Sequence, residues 1–158
     1  MADEIPQRPR PTTVEQLRAL TGASLGVTTW LPLPQAEVDS FAKVTGDDQW
    51  IHIDAARATS GPFGGTIVHG LYILSLGPAL MDQLLTTDGF AHAVNYGYDK
   101  VRFPRALPVG GSVRLRAEIT EVVAKSDSVV QIVISQRFEG EGIDKPVCIA
   151  DAVAQLHA

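Results

Sequence analysis

A chain of 158 residues with 45% hydrophobic and 20% charged side chains has room for one domain with a sizeable core, and is too apolar for a disordered chain. A net charge of -5, with only 13 basic residues and none in a run, excludes a general nucleic-acid footprint while leaving a few cations for an anionic ligand. The one cysteine, Cys148, excludes an internal disulfide and a cysteine-rich metal cluster, and its apolar neighbours Val147 and Ile149 read as buried core.

Residues 1–12 are polar, carry Pro6, Pro9 and Pro11, and read as a loose arm ahead of a single domain over 13–158. The opening Met1-Ala2-Asp3-Glu4 is acidic and lacks the basic-then-apolar order of a secretory signal, so a cytoplasmic protein is expected. Thr12 or Thr13 caps a short helix, Val14 to Leu20, which Gly22 ends. Gly26 to Leu33 reads as a strand through Val27, Thr28, Thr29 and Trp30. Pro34 opens a second helix with Val38, Phe41 and Ala42 on one face, running out near Thr45-Gly46. An irregular polar segment follows, then a short helix over Asp54 to Ser60.

Ile67 to Leu85 is the longest apolar element. It is apolar nearly all round and must then be covered on every side, with Gly77-Pro78 bending it or loosening a turn. Its apolar core is too short to cross a bilayer, so no membrane partner is expected. The period then changes from helical to alternating. Val94, Tyr96 and Tyr98 share one phase and Val101 and Phe103 the other, so a β-bulge is expected at Asp99-Lys100. Val113, Leu115, Ala117 and Ile119 alternate with polar residues. So do Val130, Ile132 and Ile134, beyond the turn Lys125-Ser126-Asp127. Val147 to Leu156 makes a further strand after the turn at Gly140–Gly142. An α+β fold follows, in which a curved antiparallel sheet wraps the long helix: the hotdog architecture.

Of four histidines, His52 has the most suggestive setting, Thr45-Gly46-Asp47-Asp48-Gln49-Trp50-Ile51-His52. A carboxylate five residues before an imidazole, in a loop headed by glycine, can turn both side chains onto one water. Hydrating a conjugated thioester needs that pair to take a proton from water and deliver one to the α-carbon, and donors for charge on the thioester oxygen. The bland alternative has Asp47 capping a turn and His52 packing under the long helix. Thr66-Ile67-Val68-His69-Gly70 opens that helix, where free N–H groups favour negative charge. Gly70 N–H is the candidate oxyanion donor and His69 shapes the turn.

Taken with Gly61-Pro62-Phe63-Gly64 and Val101-Arg102-Phe103-Pro104, these motifs resemble the MaoC-like (R)-specific enoyl-CoA hydratases, in particular their NodN-like branch, over nearly the whole chain. The resemblance implies a hotdog homodimer that adds water to a trans-2-enoyl-CoA to give the (R)-3-hydroxyacyl product. Asp47 and His52 would bind the catalytic water and the Gly70 amide the thioester carbonyl. No cofactor beyond the CoA of the substrate and no metal are implied. Where the broader family has Asn-Pro ahead of the residue before the histidine, this chain has Gln49-Trp50. Gln49 is expected to orient the loop, and Trp50 to cover the site or line a dimer seam.

For the acyl chain, Leu71, Tyr72, Leu74 and Tyr96 are candidate walls, and Asn95 a polar group reaching the site. Lys100, Arg102 and Arg105 beside Phe103-Pro104 are candidates for the CoA phosphates, against a bland reading as a solvated strand edge. Two rivals remain. A hotdog thioesterase would place a carboxylate at the start of the long helix, where this chain has none before Asp82. A non-catalytic partner subunit of a dehydratase complex would have no need of both Asp47 and His52.

Overall fold

In the computed structural model, which describes residues 8–158, Thr13 Oγ1 accepts the Gln16 N–H at 3.2 Å and opens α1 (Val14–Ala19). The first seven residues of the expected arm lie outside the described residues. Its remainder, 8–12, does not hang free: the Thr86 N–H donates to the Pro9 carbonyl at 3.0 Å, and Thr12 lies against Gly89.

The strand expected over Gly26 to Leu33 divides into β1 (Ser24–Val27) and β2 (Leu31–Pro32). Between them the Thr28 hydroxyl accepts the Leu115 N–H at 2.9 Å, taking by side chain the bond that a continuing strand would make by backbone. Then α2 (Gln35–Thr45) ends at Gly46, whose φ of 77° is the left-handed cap that glycine adopts without penalty. The segment expected to be irregular holds a single helical turn, α3 (Trp50–Ile53), too short to carry a period. Asp54 then caps α4 (Ala55–Thr59) through the Arg57 N–H at 3.0 Å.

The long apolar element is shorter than expected and divided. Ile67 and Val68 are extended, their N–H groups held by the Ile51 and Leu107 carbonyls at 3.0 and 2.8 Å. The helix proper comprises α5 (Gly70–Ser75) and α6 (Gly77–Met81), interrupted at Leu76, because Pro78 has no N–H to return to the Leu74 carbonyl. Nor is it covered on every side: Leu71 is 59% exposed, while Ile73, Leu74 and Leu80 face the core.

Four long strands follow: β3 (His92–Arg102), β4 (Ser112–Ala124), β5 (Val129–Gly140) and β6 (Cys148–His157). They form an antiparallel sheet in the order β1-β4-β5-β6-β3, with β2 also on β4. The expected bulge is present. Register shifts between Asp99 and Arg102, with Lys100 at φ 53°, and this lets Val101 and Phe103 change phase. One face of the sheet, with Leu115, Ile119, Ile132, Phe138 and Leu156 fully buried, packs on Ile73, Leu80 and Leu84. This is the hotdog arrangement, a curved antiparallel sheet around a central helix.

Candidate active site

Asp47 and His52 come together because the chain reverses twice between α2 and α3. Gly46 turns it out of α2 in the left-handed region, and the His52 N–H closes on the Gln49 carbonyl at 2.9 Å. His52 is 6% exposed. Its Nδ1 lies 2.7 Å from the Ile67 carbonyl, and since a carbonyl only accepts, Nδ1 carries the proton and Nε2 presents its lone pair. Burial pushes the His52 imidazole below its ordinary value of 6.5. The Ile67 bond and Asp47 work against that shift, and His69 adds to it. His52 is therefore neutral at pH 7.

His69, 2% exposed, stacks on His52 with ring centroids 3.7 Å apart, and Phe41 packs on its edge at 5.0 Å. Its Nε2–H donates to the Asp47 backbone carbonyl at 2.9 Å, while the Asp47 carboxylate stands 4.0 Å away and half exposed. So His69 holds the loop that carries Asp47 and backs the ring of His52. One side-chain ligand atom from each of Asp47, His52 and His69 lies within 4.8 Å of the other two. With His69 Nε2 donating to a carbonyl, its Nδ1 carries the lone pair and is buried with no hydrogen-bond partner among the described residues.

The pair opens onto a cleft of about 400 Å3 bounded by Gly70, Phe63, Leu71, Phe103 and Arg105. Gly70 is the first residue of α5, where N–H groups have no helical partner. Phe103 lies flat against it: a Cβ at Gly70 would sit 2.7 Å from the ring, closer than real atoms approach. Two supports were given no role from the sequence. Gln35 Nε2 donates to the His52 carbonyl at 2.7 Å, and Gln35 Oε1 accepts the Thr66 hydroxyl at 2.7 Å, tying α2 to α3 and to the approach of α5. Phe103 closes the cleft floor at Gly70. A glutamine after a helix-opening proline gives no signal of such a role, whereas the phase change before Phe103 does.

Other candidates fall elsewhere. Asn95 is on β3, donates to the Tyr98 hydroxyl at 3.1 Å and borders a second cavity, because the strand turns it away from the pair. Tyr72 donates to Glu37 Oε2 at 2.7 Å and stacks on Phe41, on the far side of α5 from the cleft. Burial and Glu37 push its phenol up to about 12. Gln49 is exposed and shapes the turn through its backbone carbonyl, and Trp50 packs on Gly61 beneath Arg57 rather than over the cleft. Leu74 is core, Tyr96 is 66% exposed on β3, and of the four acyl-wall candidates only Leu71 borders the cleft. Lys100 is bound to Asp151 at 2.7 Å on β6, and Arg102 turns back to the Val101 carbonyl. Arg105 alone of the three cations lines the cleft.

Residues 14–137 match the MaoC like domain, and the chain belongs to the MaoC-like dehydratase family. Over 146 residues it is 43% identical to 3-hydroxyacyl-thioester dehydratase Z of Mycobacterium tuberculosis, covering 92% of this chain and 97% of that one. It is 30% identical over 156 residues to nodulation protein N of Rhizobium meliloti, covering 92% of each. Among solved structures, the (R)-hydratase from A. caviae involved in PHA biosynthesis superposes with a TM-score of 0.68 at 23% identity, over 85% of this chain and 94% of that one, a likeness of fold.

Proposed function

We propose that the protein is a hydratase/dehydratase of 3-hydroxyacyl thioesters that adds water to a trans-2-enoyl-CoA to give the (R)-3-hydroxyacyl-CoA, with Asp47 and His52 as its acid–base pair. The observation that carries this reading is the meeting of a half-exposed carboxylate and a neutral, buried imidazole, with Nε2 free, at one end of a cleft floored by Gly70. The 43% identity to a 3-hydroxyacyl-thioester dehydratase over nearly the whole chain supports the reaction class.

The two acceptors grip a single water, which gives one proton to a member of the pair as its oxygen attacks C3 of the enoyl group. The π electrons move toward the thioester oxygen, where the Gly70 N–H at the start of α5 meets the developing charge. The pair then delivers a proton to C2, and water has been added across the double bond with no covalent enzyme intermediate. Both partners lie on the same face of the substrate, which makes the addition syn. Run backwards, the same groups dehydrate. CoA enters as part of the substrate, and no resident cofactor takes part.

A homodimer completes the reading. β3 is a sheet edge with no further strand beside it among the described residues. It exposes Val94 and Tyr96, and Leu71, Phe63 and Phe103 are exposed at the cleft mouth. An open edge with apolar side chains invites pairing with a second strand. Crotonyl-CoA offered to the pure protein tests the reaction. Loss of enoyl absorbance without free thiol, and an (R)-3-hydroxy product, is the expected result. Release of free thiol from saturated acyl-CoA would replace the hydratase with a thioesterase.

A further inference from the structure

Among the described residues Lys100 is the one non-glycine held at positive φ, at 53°. A side chain other than glycine stays in that region only where its surroundings fix it there. Lys100 lies in the β3 bulge: Asp99 pairs with Asp151 and Arg102 with Ile149, three residue steps on β3 against two on β6. Glycine is the usual residue at the left-handed position of a bulge, so the lysine is kept against its backbone preference. Its side chain supplies a reason. Nζ reaches Asp151 Oδ2 on β6 at 2.7 Å, and the Asp151 side chain is only 20% exposed. Asp99 stands directly opposite Asp151 in the ladder, and two like charges so placed push the strands apart. The ammonium answers both acids: the Asp151 hydrogen bond and charge, with Asp99 adding, hold it above its ordinary value of 10.5.

What the bulge holds lies downstream. Val101 packs against the core, and the chain then crosses to the start of α5. There the Val68 N–H donates to the Leu107 carbonyl at 2.8 Å and the Val109 N–H to the Thr66 carbonyl at 2.9 Å. Phe103, Arg105 and Leu107 so become one wall of the Asp47–His52 cleft, with the Phe103 ring on Gly70. We propose that Lys100 is a positioning residue for the hydration reaction: its ion pair with Asp151 locks the bulge, and the bulge seats Phe103 on Gly70 at the thioester-carbonyl end of the cleft. This deepens the hydratase reading and rests on it. Lys100 acts through Phe103 rather than on the substrate itself. An unlocked bulge lets the wall shift against the Gly70 N–H, and a bond to developing charge tolerates little displacement. The loss then falls in kcat and leaves KM nearly alone, because that bond is made mainly in the transition state. Direct use of the ammonium on a CoA phosphate would show the reverse, a raised KM.

The test uses the whole chain and crotonyl-CoA, each variant being assayed well below its Tm. Lys100→Met keeps an unbranched side chain without the charge, and should lower kcat about ten-fold with KM little changed. The double variant Lys100→Gly with Asp151→Asn has no cation, yet glycine accepts the positive φ and asparagine ends the repulsion from Asp99. It should recover most of the lost kcat, and recovery without a cation separates the bulge from a phosphate contact. Turnover near wild type in Lys100→Met overturns the proposal. So does a double variant no better than Lys100→Met, or a loss carried by KM alone. If wild type does not hydrate crotonyl-CoA, the reaction assignment fails, and the lock is judged by amide hydrogen exchange over residues 97–107. Faster exchange in Lys100→Met that the double variant restores sustains the lock, and exchange equal to wild type in Lys100→Met overturns it.

Discussion

Replacing Gly70 by alanine separates the catalytic use of the first turn of α5 from its use in packing. The new methyl would fall 2.7 Å from Phe103 Cδ1 and Cγ and 2.9 Å from Cε1, where ordinary contact begins at 3.4 Å. The ring must therefore retreat by about 0.7 Å, since carbon atoms repel steeply inside their optimum of about 3.5 Å. Phe103 is 43% exposed and can swing outward, so the loss of stability should stay near 1 kcal/mol, the low end for an overpacked site. Activity should suffer more, because the ring and the first-turn N–H groups bound the same cleft. A displacement of this size costs on the order of 100-fold in rate. Crotonyl-CoA hydration and thermal unfolding, measured on Gly70→Ala, Phe103→Ala and the double variant, test this. Removing the ring should relieve the clash and restore the double variant to the level of Phe103→Ala alone. Wild-type turnover in Gly70→Ala, or a double variant no better than Gly70→Ala, would refute the reasoning.

His52 is held neutral by burial, so its folded-state value lies below that of the unfolded chain. The unfolded chain then takes up a proton first as pH falls from 6.5, and the stability present above that value is lost toward the folded value. Tm between pH 8 and 5 should fall more steeply in wild type than in His52→Gln, and identical slopes would contradict the assignment. Gln35→Leu removes the donor to the His52 carbonyl and the acceptor for Thr66. We expect a stability loss of about 1–3 kcal/mol in denaturant unfolding and a fall in kcat exceeding any change in KM. Under the proposed homodimer, Tyr96→Lys places a charge on the open edge of β3 and should lower the apparent mass on size-exclusion chromatography to that of one chain. An unchanged elution volume would contradict the proposed pairing through β3.

The sheet was legible because its strands keep a strict alternation: Val113 to Ile119 and Val130 to Ile134 are buried in the expected phase. Even the bulge at Lys100 was announced by the change of phase before Val101. Legibility failed where side chains replace backbone bonds or where burial depends on what lies across the fold. Thr28 divides a strand that looked continuous, and Ile67–Val68 pair as extended chain although they continue an apolar run. At the site, Asp47, His52, His69 and Gly70 were suggested weakly by their spacing and more strongly by the resemblance to the family, and do gather at one cleft. Asn95 and Tyr72 were placed by proximity in sequence to apolar walls, and strand and helix directions carry both elsewhere. Gln35 acts across 17 residues, a distance over which a single sequence holds no pattern.

The central claim is that Asp47 and His52 share one water and act as a unit. Crotonyl-CoA hydration by Asp47→Asn, His52→Gln and the double variant, with Tm and circular dichroism recorded alongside, tests it most directly. We expect each single change to lower kcat by about 10²–10⁴-fold, and the double change to cost little more than the worse single one. Folding should be kept. Turnover near wild type in either single variant, or losses that simply multiply in the double, would contradict the account.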